Sequence, residues 1–156
     1  MTACIFKWQG TLDKYVGDEI MAVWGAPLEQ PNHAELAVRC CWEQLQIMRS
    51  LQDKWRSEGK AILDFGMGLN TGDMITGNIG SSMHKDYTVI GDAVNLGARL
   101  EAETRHYGTE QDPCYLIISE FTYSKVSEIV TVLPLGSVLV KGKNRPVDIY
   151  QVTNVL

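Results

Sequence analysis

The chain has 156 residues, of which 45% are hydrophobic and 21% charged, the balance of a folded globular protein rather than a disordered one. That length is enough for one domain of ordinary size with a core of its own. A formal net charge of −5 argues against a nucleic-acid polymer or an anionic membrane as partner. It leaves room for a small nucleotide, which needs only a few cations placed locally.

Cys4, Cys40, Cys41 and Cys114 have no metal-ligand spacing, and the vicinal pair falls inside a helical pattern. They read as reduced, mostly buried thiols of a cytoplasmic protein. No apolar run approaches the ~18 residues of a membrane span. Residues 1–6 lack the basic and apolar regions of a signal peptide.

In chain order, residues 3–8 read as the last turns of a helix stopped by Gln9-Gly10, and residues 11–16 as a strand. Gly17-Asp18 is the corner of a β-hairpin between two apolar runs. The second run, residues 20–24, is apolar enough to be expected buried on both faces. Asp18 at the tip either makes the turn or serves a hard cation and a phosphate, since a carboxylate there is held rigidly and open to solvent.

After Pro27 and Pro31, a helix is expected over residues 32–58, with Asn32 as N-cap, Glu35 as its capping-box partner and Gly59 as its stop. Ala34, Ala37, Val38, Cys41, Leu45, Met48 and Trp55 recur at helical spacing and form one core-facing stripe. Strands are expected over residues 63–70 and 74–79, joined by Thr71-Gly72-Asp73. A loop at 80–86 leads to a short strand at 87–90. Asp92 is placed to cap a helix ending near Thr104, on which Asn95 and Arg99, four apart, share one face. That face suits a sugar and a phosphate, or is a solvated edge.

Residues 106–113 form a polar loop, residues 115–119 a strand and residues 120–126 a short helix. A closing hairpin pairs residues 129–140 with 147–152 around a turn bearing Lys141, Lys143 and Arg145, which binds phosphate or simply solubilises the tip. This order is α+β, with a mainly antiparallel sheet and helices on one face. His33, His84 and His106 show no ligand spacing, and no Ser-His-Asp, Cys-His or HExxH arrangement can be assembled.

Four stretches in register, residues 14–27, 68–81, 86–101 and 139–143, resemble the catalytic domain of the class III adenylyl/guanylyl cyclases. The resemblance covers residues 10–152 and implies a ferredoxin-like palm extended by a C-terminal hairpin. It implies conversion of ATP to 3′,5′-cyclic AMP and pyrophosphate in intracellular signalling, in a homodimer with its sites at the interface. An upstream regulatory domain is implied as well.

By the same resemblance Asp18 is a metal-binding aspartate for two divalent cations, Mg²⁺ or Mn²⁺. Lys14 and Thr88 recognise the adenine ring, Asn95 orients the ribose, Arg99 stabilises the transition state and Lys141 holds the terminal phosphates. Guanylyl cyclases usually carry a glutamate at the lysine position, so the pair favours ATP. Arginine suits a pentavalent phosphorus because its guanidinium can bind bidentately, as lysine cannot.

The family has a first metal aspartate on a strand ahead of this hairpin, followed by a long helix. Residues 1–12 hold no Asp or Glu. Residues 1–156 are therefore expected to be one cyclase domain, incomplete at its N-terminus, with half of a metal site. Two alternatives stand beside this reading. One is a catalytically silent nucleotide-binding or dimerisation module. The other is a diguanylate cyclase, whose Gly-Gly-Asp-Glu-Phe turn is similar to residues 16–20. Here a valine replaces the first glycine and an isoleucine the phenylalanine, and those domains lack the Asn-x-x-x-Arg helix.

Overall fold

The computed structural model describes residues 1–80, 85–107, 109, 114–139 and 146–156. Among these the elements run α1 (Thr2–Lys7), β1 (Thr11–Val16), β2 (Glu19–Val23), α2 (His33–Ser57), β3 (Phe65–Leu69), β4 (Ile75–Gly80), β5 (Lys85–Ile90), α3 (Asp92–Glu103), β6 (Cys114–Ser119), α4 (Glu120–Val126), β7 (Val130–Val138) and β8 (Val147–Val155). The central sheet has the order β3-β6-β8-β7; β3 and β6 are parallel and the other two pairings antiparallel. Two antiparallel hairpins, β1-β2 and β4-β5, stand outside it. The expected α+β architecture with a mainly antiparallel sheet is present.

Helices cover both faces of the sheet, not the single face expected from the element order. Alternation along the strands is the cause. Leu116 and Ile118 of β6 point to α2 and α4, where they join Val38, Cys41, Leu45 and Val126. Ile117, between them in sequence, packs with Leu96 and Leu100 of α3 and with Val147 and Ile149 of β8. The central strand is thus apolar on both sides, and each of these three residues is fully buried.

Helix α2 buries two adjacent stripes where one was expected. Ala34, Val38, Cys41 and Leu45 face the sheet, while Leu36, Ala37 and Cys40 meet Cys4, Ile5 and Trp24 under the first hairpin. Two polar residues are buried with them, each with a main-chain partner: Gln44 donates to the Met1 carbonyl at 3.1 Å and Gln52 to the Leu63 carbonyl at 2.7 Å. Cys4, Cys40 and Cys41 are free and buried, as expected, and burial pushes the Cys41 thiol up to about 12.

Asn32 and Asp92 both depart from the expected capping. Asn32 occupies the N-cap of α2 with φ −99 and ψ 23, outside the extended region from which a cap side chain reaches back. Its side chain makes no cap bond, and Glu35 pairs with Arg39 at 2.9 Å. At α3 the cap position belongs to Gly91, whose φ of 152 brings the chain out of β5. Asp92 is the first helical residue, where its charge favours the helix dipole without a capping bond. Ser119 does cap α4, accepting from the Thr122 amide at 3.3 Å.

The first hairpin closes on Gly17 in the left-handed region, φ 63, the backbone conformation two-residue hairpin turns take from glycine. Residues 20–23 are half-buried rather than buried on both faces. The hairpin forms a sheet of its own: Ile20 and Ala22 pack inward with Leu12 on Trp24 and α2. Trp24 locks it in place, its indole nitrogen donating to the Trp8 carbonyl at 2.8 Å and its ring filling the space beside Gly10. No helix among the described residues is long and apolar enough to cross a membrane.

Candidate active site

The feature that draws sequence-distant site residues together is a bulge in β1. Leu12 pairs with Ala22 and Lys14 with Met21, so Asp13 is the extra residue. In a regular strand neighbouring side chains point to opposite faces; a bulge breaks the alternation and re-aims one of them. The Asp13 side chain is only 3% exposed, while the neighbouring Lys14 side chain is 43% exposed. Lys14 Nζ nevertheless lies 3.6 Å from Asp13 Oδ2.

That same carboxylate oxygen accepts a hydrogen bond from the Thr88 hydroxyl at 3.0 Å. Thr88 is buried in the middle of β5 and pairs with Gly77 of β4. Across from it a Cβ built on Gly77 would meet none of the described residues within 4 Å, so among them open space lies opposite the threonine. Lys14 and Thr88, both expected to read a base, therefore converge on Asp13. Sequence reasoning overlooked Asp13 itself. The available signal was an acidic residue inside an otherwise ordinary strand, directly before the lysine.

Helix α3 follows β5 through Gly91 and carries Asn95 and Arg99 on one exposed face, with Leu96 and Leu100 buried on the other. The described residues give neither Asn95 nor Arg99 a side-chain partner, so amide and guanidinium donors are presented outward. The start of the helix is anchored by Asn70, which donates to the Ala93 carbonyl at 2.8 Å and accepts from Ser119 at 2.6 Å. Its length is held against β3 by Gly66 and Gly68, whose missing Cβ positions are occupied by Thr104 and by the main chain of Gly97, Leu100 and Glu101.

Asp18 is exposed at the hairpin tip beside Glu19. Both charges act on Glu101 of α3. Burial chiefly raises the Glu101 carboxyl above its ordinary range; Arg105 opposes this, and Glu19 and Asp18 add to it. The carboxylates of the hairpin tip are thus near enough to the later half of α3 to act on Glu101, beside the basic Arg105. Even so, among the described residues no group of three or more His, Cys, Asp or Glu is arranged to hold a metal ion. The donors present among these described residues do not make a two-cation cradle. Lys141, with Lys143 and Arg145 of the closing turn, lies outside the described residues.

Residues 12–154 match the family described as the adenylate and guanylate cyclase catalytic domain. Adenylate cyclase 1 of Rhizobium meliloti is 31% identical over 147 residues, which cover 94% of this chain and 21% of that protein. The adenylate cyclase of Anabaena cylindrica is 33% identical, over 92% of this chain and 28% of its own length. The chain thus spans between a fifth and a third of these relatives. Among solved structures, the adenylyl cyclase CyaB from P. aeruginosa superposes with a TM-score of 0.85 at 35% identity, covering 99% of this chain and 77% of that one. The guanylyl cyclase Cya2 gives 0.83 at 34%, covering 99% and 75%. Likeness to the two is nearly equal, so the choice of base has to be read from side chains.

Proposed function

Since the chain belongs to the adenylate and guanylate cyclase catalytic domain family, we propose that it converts ATP to 3′,5′-cyclic AMP and pyrophosphate. The ribose 3′-oxygen forms a bond to the α-phosphorus as the bond from that phosphorus to the β-bridging oxygen breaks. The 3′-hydroxyl proton goes to solvent, and the electron pair leaves with pyrophosphate. Work of this kind falls to positioning and charge stabilisation.

Arg99 neutralises charge developing on the α-phosphate, where its planar fork can bind two oxygens. Asn95, one turn earlier on the same exposed face, orients the ribose. Lys14 donates to the adenine ring, with Thr88 beside it, and Lys141 serves the terminal phosphates. The observation that carries the choice of ATP is the convergence of Lys14 and Thr88 on one buried carboxylate. Asp18 is the single carboxylate we assign to the cation side, and no step is derived through a metal.

The assembly we propose is a homodimer with sites shared between subunits, supported by an exposed apolar surface on the two hairpins. Tyr15 and Val16 of β1, Tyr87 of β5, and the cross-strand partners Ile75 and Ile90 are all at least 46% exposed. Such surfaces mark contact sites more often than chance. An upstream regulatory domain and a cytoplasmic setting belong to the same proposal.

The shortfall of carboxylates among the described residues favours a second reading, nucleotide binding and dimerisation without turnover. One pair of measurements separates the two. The chain is titrated calorimetrically with α,β-methylene ATP, and cyclic AMP is assayed after incubation with ATP and Mn²⁺. Cyclic AMP that falls about a hundredfold in Arg99→Ala supports catalysis by the assigned group. Binding without product supports the silent module, and absence of both overturns both.

A further inference from the structure

We infer that Asp13 is a positioning residue that fixes the direction of the Thr88 hydroxyl proton, and thereby makes the site read adenine rather than guanine. The inference deepens the proposed ATP reading and rests on it.

A threonine hydroxyl carries one proton and two lone pairs, whereas an ionised carboxylate only accepts. At 3.0 Å from Asp13 Oδ2, the Thr88 proton is committed to that oxygen. The remaining capacity of Thr88 Oγ1, on the side away from Asp13, is acceptor only. Adenine offers its exocyclic amine, a donor; guanine at the same ring position offers a carbonyl oxygen, a second acceptor. Two acceptors facing each other leave both unpaired in a buried setting, and sites reject substrates strongly for that reason.

Lys14 is oriented by the same atom. Its ammonium, 3.6 Å from Asp13 Oδ2, has donors only and suits the unprotonated N1 of adenine. Guanine carries a proton on N1, so donor would face donor. One carboxylate therefore sets both partners to the adenine pattern. The bulge at Asp13 makes this possible by bringing its carboxylate within reach of both the following lysine and a threonine on another hairpin. Among the described residues, open space opposite Thr88, at Gly77, leaves room for a flat ring.

The test is the ratio of affinities for α,β-methylene ATP and α,β-methylene GTP, measured by calorimetry for the wild type, Asp13→Asn, Thr88→Val and the double variant. Asparagine keeps the shape of Asp13 but can donate, which frees the threonine proton to point at the base. The ratio is expected to fall about tenfold in each single variant and no further in the double, because both act through one hydrogen bond. A residue that merely holds the hairpin would weaken both nucleotides alike and leave the ratio unmoved.

An unchanged ratio in folded Asp13→Asn, or a second tenfold loss in the double variant, overturns the inference alone. Should Asp13→Asn fail to fold, Asp13→Ser is read in its place: it removes the carboxylate that fixes the Thr88 proton, and an unchanged ratio in it overturns the inference. A wild type that binds neither nucleotide overturns the proposed function and this inference together.

Discussion

Glu43 illustrates how much a single side chain can organise outside the candidate site. Its two oxygens take Lys7 Nζ at 2.7 and 2.8 Å and the Trp8 indole nitrogen at 2.7 Å, tying α1 to the middle of α2. The hydrogen bond from Lys7 and then that from Trp8 hold its carboxyl below the usual range. A carboxylate depressed in the folded state adds stability above its unfolded value and loses it as pH falls through the folded one. In Glu43→Gln that dependence should vanish. Thermal melting across the acidic range is therefore expected to show wild type above the variant at neutral pH, with the gap closing as the carboxylate range is crossed. A gap that is constant with pH would contradict this. Asp13 belongs at the same scale, but its partners were not legible in the chain: Thr88 is far away in sequence, and only the packing of β1 beside β5 joins them.

Strand β3 reads Phe-Gly-Met-Gly-Leu, and the alternation has a direct physical meaning. Phe65, Met67 and Leu69 turn to α2 and the main core. Gly66 and Gly68 turn the other way, where α3 lies against the bare backbone. A glycine in a strand commonly marks such a close approach of another chain segment. At Gly68 the three nearest obstructing atoms are all main chain, so no side-chain rotation relieves them. Gly68→Ala is accordingly expected to destabilise the protein by about 3 kcal/mol, read as a lowered melting temperature, and to lower cyclase activity because α3 carries Asn95 and Arg99. A Gly68→Ala protein that melts like the wild type would contradict the docking of α3 on β3. The elements with strong local signals were legible: helix 33–57 was expected at 32–58, helix 120–126 was expected with its observed bounds, and the Gly17 turn follows from glycine's freedom at positive φ. Strand β3 was expected too, but which backbone filled the space beside its glycines depended on tertiary packing. The same holds for the second apolar stripe of α2 and for the face chosen by α3.

At the scale of the whole molecule the unexplained surface is the apolar side of the two hairpins. The β4-β5 hairpin stands apart from the central sheet, and its residues Ile75 and Ile90, 68% and 46% exposed, are cross-strand neighbours. Tyr15 and Val16 add to the apolar surface from β1. A chain whose base-reading lysine and single cation-side carboxylate come from one hairpin cannot aim both at the same nucleotide easily, because Lys14 lies along the strand and Asp18 at its tip. A second copy related by a two-fold axis would let one hairpin serve two sites, one through its strand and the other through its tip. Ile75→Asp places a charge in the proposed contact without touching the buried core or the Asp13 cluster. It is expected to raise the dimer dissociation constant by about tenfold or more, seen by analytical ultracentrifugation, with circular dichroism unchanged. Cyclic AMP formation per chain should then fall at dilution and recover as protein concentration is raised. A wild type that sediments as a monomer throughout, or a variant whose activity is lost without any change in assembly, would rule out the shared-site arrangement.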